Sequence, residues 1–242
     1  MNRDEILNWA SSGDLGTNAY VLEQYVSDKE NSIFVDIGVR FGCSSAIMSI
    51  DSTKKNNKIY GIDVDYSTFN SNCVVGENYT KLVGDSSTIG KNSKIKDLKN
   101  VDVLFIDSLH VREQVLCELY YWVPRLNDNA LIVFHDSHWP EGKKDTFGGK
   151  EWESVDKAIT EYFGLNVLED YSDGEIEVNC YPPSWGMTFI KIKNLKKFKN
   201  RVKDWNKVFE DRNYIIGSIS DSISSDVTEI DYELKPTTRS KK

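Results

Sequence analysis

No stretch of this sequence approaches the run of about 18–20 apolar residues that a membrane span requires. The start, MNRDEILNW, is polar and acidic and does not read as a secretory leader. Cysteine is sparse. Cys43, Cys73, Cys117 and Cys180 are scattered without a CxxC pair, as expected of buried free thiols in a cytoplasmic protein. Positive charge is in deficit too. The formal net charge of −8 argues against nucleic acid as the main partner, because phosphate binding needs a positive face. No internal repeat is present. The 242 residues, 28% charged and 39% hydrophobic, suffice for one α/β domain with a substantial core and an extension.

Five segments share one design: FVDIGVRFG (34–42), IYGIDVD (59–65), LVGDSS (82–87), VDVLFIDSLH (101–110) and ALIVFHDSH (130–138). Each ends an apolar, β-branched run on acidic, small or histidine residues. A parallel sheet delivers polar groups to its C-terminal edge in this way, and ligands bind there in open α/β folds. Strands are expected at 32–37, 58–63, 80–83, 101–106, 130–134, 165–169 and 186–192. Helices are expected at 4–10, 17–27, 44–50, 112–123 and 151–163, with a weak helix and loop over 66–80. The alternation predicts a doubly wound, mostly parallel seven-stranded sheet with helices on both faces. The loop 137–150 is long enough to be an active-site flap.

The turn after the first strand runs from Asp36 through Gly38 and Arg40 to Gly42. A dinucleotide turn would read G-x-G-x-x-G; here a carboxylate precedes the glycines and would repel pyrophosphate. It would attract an ammonium and a sulfonium, and S-adenosylmethionine (SAM) carries both without a phosphate. The glycines permit close backbone approach. Ser44 and nearby amides are candidates for the ligand's carboxylate. Asp63 follows Asp36 by 27 residues and can accept ribose hydroxyls. Asp85 and Ser86 stand where an adenine edge would lie.

With DIGVRFG, IDSLH and IVFHDS in place, the chain resembles the class I SAM-dependent methyltransferases over about residues 17–192. It is most similar to the branch of macrocin-type sugar O-methyltransferases and cephalosporin-hydroxylase-like proteins, related to the catechol-type metal-dependent enzymes. The resemblance implies a Rossmann-like sheet over 1–192, with a C-terminal extension over 193–242. It implies a SAM pocket lined by Asp36, Gly38, Arg40, Gly42, Ser44, Asp63, Asp85, Ser86 and Asp107.

The three histidines, His110, His135 and His138, fall within 29 residues at two neighbouring strand tips. Asp107 and Asp136 end those strands and can offer hard oxygens to a divalent cation such as Mg²⁺, with Ser137 completing the set by resemblance. Such an ion would lower the pKa of a substrate hydroxyl. By motif alignment His110 takes the place of a lysine general base, and its ordinary pKa of about 6.5 suits that task. His138 is the second candidate base. Strand alternation turns His135 away from Asp136.

Trp139, Trp152 and Trp185, with Tyr181, suit an acceptor wall. Residues 191–207 hold eight basic residues and one acid, Asp204, and Leu195, Phe198, Val202, Trp205 and Phe209 recur at helical spacing. This predicts a basic amphipathic helix, then a partly ordered arm over 217–242. Ile215, Ile216, Ile219 and Ile223 are candidates for contact with a second subunit. The sequence thus points to O-methyl transfer onto a small hydroxylated acceptor. Two alternatives stand beside it: an RNA-directed methyltransferase using the basic helix, and a SAM-binding interaction protein without activity.

Overall fold

The computed structural model describes residues 1–74, 78–89, 95–139 and 144–222. The expected terminal arm from Ile223 onward and residues 140–143 of the expected flap lie outside them. Two helices open the chain, α1 (Arg3–Ser12) and α2 (Asn18–Val26). Then follow β1 (Ile33–Ile37), α3 (Cys43–Ser49), β2 (Lys58–Asp63), β3 (Tyr79–Val83), β4 (Val101–Ile106), α4 (Arg112–Trp122) and β5 (Leu126–His135). A small hairpin, β6 (Asp145–Phe147) and β7 (Lys150–Trp152), precedes α5 (Val155–Phe163). The chain continues with β8 (Tyr171–Ser172), β9 (Ile176–Tyr181), β10 (Met187–Ile192) and α6 (Trp205–Ser222).

The sheet is doubly wound and has eight strands rather than seven, in the order β3-β2-β1-β4-β5-β10-β9-β8. β3, β2, β1, β4 and β5 are parallel, and β10, β9 and β8 add an antiparallel edge. The strand expected at 165–169 does not form. Gly164 ends α5 in a left-handed conformation, and the chain turns through bends before β8. The strand β9, with its alternating Ile176 and Val178, was not anticipated.

Strand alternation sorts the core into two layers. Phe34, Val103, Phe105 and Val133 face α1, α2 and α3, whereas Val35, Ile37, Leu104, Ile106 and Phe134 face α4 and α5. Each large apolar side chain so buried contributes about 1.5–3 kcal/mol. The same alternation carries Asp36 and Asp107 to the α3 side of the sheet edge, in line with Phe34 and Phe105.

The basic helix expected over 191–207 is corrected. Asn194 caps a turn by accepting from the Lys197 amide, and the Arg201 amide bonds to Tyr162 O at the end of α5 instead of to a carbonyl four residues back. Regular helix begins only at Trp205, where Asp204 accepts from the Lys207 amide. The apolar positions still pack on the α4–α5 side of the core, Phe209 buried and Leu195, Phe198, Val202 and Trp205 half-buried. Ile215 is fully buried against Val111 and Trp152, with Ile219 alongside, so these isoleucines pack within their own chain. All four cysteines are free thiols, three of them buried. No described helix is long and apolar enough to cross a membrane.

Gly38 has φ +80°, and a Cβ there would overlap the Asp107 carbonyl. Its amide bonds to Ile62 O at 2.9 Å, while the Asp107 amide bonds to Ile37 O at 2.9 Å, so the β1 turn is clamped between β2 and β4. Gly38→Ala adds left-handed strain of about 1–3 kcal/mol to overpacking of similar size. We expect a lower urea midpoint with an unchanged m-value; an unchanged midpoint would refute the clamp.

Candidate active site

Asp36 is fully buried. Ser44 Oγ lies 2.9 Å from both carboxylate oxygens, and Ser45 Oγ donates to Oδ2. Ser45 in turn meets Tyr79 Oη at 2.9 Å. Burial pushes the Asp36 pKa up to about 7, against the serine hydrogen bonds. The expectation that Asp36 and the Ser44 hydroxyl face a ligand is therefore revised. In this arrangement they bind each other and fix the start of α3.

Asp63 ties down the turn above it. Its Oδ2 accepts from the Arg40 amide at 2.7 Å and its Oδ1 from the Asp65 amide at 3.1 Å. Arg40 adopts φ +46°, and its guanidinium reaches Asp14 at 3.3 Å. Gly42, at φ +95°, caps α3 and lies under the Phe69 ring.

At the β3 tip, Asp85 and Ser86 are almost wholly buried. Asp85 Oδ1 accepts from Ser87 N at 3.0 Å and Ser87 Oγ at 2.8 Å, and Oδ2 is paired with Arg212 of α6. Ser86 Oγ donates to Glu118 Oε1, as does Ser108 Oγ at 2.6 Å, so Glu118 links the loops after β3 and β4. Burial drives the Glu118 pKa up to about 7, against these hydrogen bonds. The folded protein therefore keeps a proton that the unfolded chain releases near 4.5. Its stability is greatest below that value and falls as pH rises towards 7, by about 3 kcal/mol for this group. Asp36 adds a slope of the same sign. Glu118→Gln should flatten the loss of urea stability between pH 5 and 8, leaving the Asp36 share. An unchanged slope would assign the proton elsewhere.

The tips of β4 and β5 bring two carboxylates and two imidazoles together. His110 Nε2 lies 3.0 Å from Asp107 Oδ1 and 3.3 Å from Asp136 Oδ2. His135 Nδ1 lies 3.2 Å from Asp107 Oδ1 and 3.4 Å from Asp136 Oδ1. The parallel register pairs Ile106 with Phe134, which sets Asp107 beside His135. Asp136 has φ +51° and so leaves the strand pleat. That local break overrides the alternation that was expected to separate it from His135. Burial penalises the Asp107 carboxylate, but His135 and His110 outweigh it and hold its pKa at about 2. Burial likewise opposes charge on His135, yet Asp107 and Asp136 raise it to about 9. His110 is raised by the same two acids, against burial.

Two expected members stand aside from this cluster. Ser137 Oγ turns to Thr188 Oγ1 at 2.8 Å and to His138 Nδ1 at 3.1 Å, so it does not complete a metal set with Asp107 and Asp136. The set the fold brings within mutual reach is Asp107, His110 and Asp136, whose ligand atoms all lie within 4.8 Å of one another. His138 packs on Gly186, its amide bonds to Trp185 O at 2.8 Å, and burial lowers its pKa.

Beside the cluster stands an aromatic pair. The Trp139 ring lies 5.9 Å from His110 and 5.9 Å from Trp185. Trp185 is 48% exposed, and both it and Ser184 adopt positive φ, 67° and 56°. That backbone is strained for non-glycine residues. The turn is held by the α1–α2 connection, where Asn18 Nδ2 reaches Ser184 O at 3.4 Å. Trp152 serves the core instead, with its indole N–H on Phe147 O at 3.1 Å.

Residues 35–137, which span β1 to the tip of β5, match the family model described as a methyltransferase domain. Over those residues the chain is similar to a methyltransferase domain. Solved structures share the fold of this chain at low identity. The O-methyltransferase TomG from Streptomyces achromogenes, solved with SAM, is 14% identical with a TM-score of 0.56, covering 78% of this chain and 90% of its own. A Podospora anserina methyltransferase bound to SAH is 14% identical with a TM-score of 0.51, covering 78% and 87%. A TDP-rhamnose 3'-O-methyltransferase of calicheamicin biosynthesis is 14% identical with a TM-score of 0.51, covering 72% and 77%. No curated protein sequence matches the chain significantly.

Proposed function

We propose that this protein moves the SAM methyl group to a hydroxyl of a small ring-bearing acceptor, with His110 as general base. The observation that carries the reading is His110 Nε2 seated between Asp107 and Asp136 at the sheet edge. Bound SAM supplies an activated methyl on a sulfonium, a good leaving group. The chain must align the acceptor oxygen, exclude water and take one proton. Asp63 would receive the ribose hydroxyls with the lone pairs left by its two backbone contacts. Gly38 and Gly42 keep the turn low enough for close approach. His110 donates Nε2–H to the two carboxylates and so takes the acceptor proton at Nδ1, and the carboxylates stabilise the imidazolium that results. Trp139 and Trp185 offer flat apolar faces beside His110, which suits a sugar or aromatic ring. Correct alignment of two reactants is worth about 7–11 kcal/mol in favourable cases.

The second reading makes His110 a ligand. Asp107, His110 and Asp136 would hold a divalent cation, with water at the remaining positions. Asp136 Oδ1 is buried without an aligned hydrogen bond, as an oxygen reserved for a cation would be. Such an ion would lower the acceptor's pKa. Two oxygens suit Mg²⁺, whereas the imidazole suits Mn²⁺ less strongly than it suits softer ions. Calorimetry of SAH, with Mn²⁺ titrated by electron paramagnetic resonance, separates the readings. Wild type should bind SAH in the micromolar range. If His110→Ala binds Mn²⁺ as wild type does but has lost turnover, His110 is the base; joint loss makes it a ligand. Absence of SAH binding by wild type would overturn both.

A further inference from the structure

Arg212 lies outside the segment that matches the methyltransferase family, on a helix that follows the sheet. It is nevertheless 1% exposed. Helix α6 is seated on α4 by rings, with Tyr120 4.8 Å from Trp205 and 5.2 Å from Phe209. Val208, Phe209 and Ile215 are buried along the same helix. The guanidinium is thereby delivered to the β3 tip, where its terminal nitrogen pairs with Asp85 Oδ2. Its Nε donates to Gln114 Oε1 at 3.0 Å. The Gln114 amide nitrogen donates to Glu118 Oε1 at 2.9 Å and Ser86 Oγ at 3.2 Å, so its oxygen is the end that faces Arg212.

A carboxylate has about four lone-pair sites. Among the described residues, Asp85 fills both sites on Oδ1 with Ser87 N and Ser87 Oγ, and one on Oδ2 with Arg212. One acceptor site on Oδ2 is left over. The guanidinium donates to Oδ2, and the site left over on that oxygen can accept one further donor. A planar fork held at Nε and at a terminal nitrogen also fixes the direction in which the remaining site points.

We infer that Arg212 is a positioning residue that leaves Asp85 one open acceptor, so that the donor site selects a 6-amino purine over a 6-oxo purine. The inference rests on the reading that Asp85 meets the adenine of SAM, and it adds the residue that sets the selection. An exocyclic amine can donate to the open site. A carbonyl oxygen in the same place meets a carboxylate with no proton between them, and a polar site left unpaired rejects the wrong partner strongly.

The experiment is calorimetric titration of the full chain with SAH and with S-inosyl-L-homocysteine, which differs by a carbonyl at the purine 6-position. Wild type should bind SAH at least about 30-fold more tightly. In Arg212→Met the preference should shrink to within about threefold, because Asp85 is no longer held in one orientation and can turn away from the carbonyl. A simply structural Arg212 would weaken both ligands alike and leave their ratio intact. Should the single variant fail to fold, Asp85→Asn/Arg212→Met strands no charge, and its amide can present either a donor or an acceptor. A wild-type preference kept in the folded variants overturns the inference, as does a wild type that binds both ligands equally. A wild type that binds neither overturns the underlying assignment of the donor site.

Discussion

His110→Ala is expected to lower methyl transfer by about 10²–10⁴-fold, the range that a positioned general base supplies, for any acceptor that the wild type methylates. SAH affinity should stay within a factor of about three, since His110 stands on the acceptor side of Asp107. The size of the effect follows from the arrangement. An acceptor hydroxyl is a poor nucleophile until its proton leaves; Nε2–H, 3.0 Å from Asp107 and 3.3 Å from Asp136, is held by the carboxylates, which leaves Nδ1 as the basic atom. Both carboxylates favour the imidazolium formed on proton transfer. The truncated side chain leaves space between Trp139 and the two acids, so added imidazole should restore part of the rate. SAH release followed under single-turnover conditions is the suitable measurement, because product dissociation then cannot mask the chemical step. Undiminished single-turnover rates in the variant would remove His110 from the mechanism.

Arg212→Met is expected to cost about 3–5 kcal/mol of unfolding free energy, the usual penalty for leaving one member of a buried ion pair without its partner. Both side chains are nearly inaccessible, at 1% and 4%, so water cannot compensate. Asp85→Asn alone should also destabilise, because an amide nitrogen would confront the guanidinium. The double variant Asp85→Asn/Arg212→Met should recover most of the loss, since no uncompensated charge remains. Urea denaturation of the four proteins gives the coupling energy directly. A double variant no more stable than Arg212→Met would mean that the pair contributes little and that α6 is held by its aromatic and aliphatic contacts.

The sheet and the gathering of Asp107, His110 and Asp136 at its edge were legible because both depend on local rules. Apolar runs ending on Asp36, Asp63, Asp85, Asp107 and Asp136 place polar groups on one edge of a parallel sheet whatever the details of packing. The orientation of His135 was not legible, because a single positive φ at Asp136 cancels the two-residue alternation. Nor was the use made of Asp36 and Asp85. Each reads as a free carboxylate in sequence, but one is bonded by serines on the next helix and the other is paired with an arginine 127 residues away, which fills one of its acceptor sites. Arg212 carries no local signal at all, since it reads as one charge on an ordinary amphipathic helix. The spacing of Leu195, Phe198, Val202 and Trp205 foretold packing on the core correctly but not helix. Tertiary hydrogen bonds such as Arg201 N to Tyr162 O compete with the i→i−4 ladder and win.

The distance along the chain between Asp85 and its cation has a consequence for synthesis. At about 5–20 residues per second, a ribosome takes roughly 6–25 s to travel from one to the other. Throughout that interval the emerging polypeptide can assemble its five parallel strands, yet it holds an acid with no counter-charge at the edge of its interior. The β3 tip therefore stays without its counter-charge until α6 arrives.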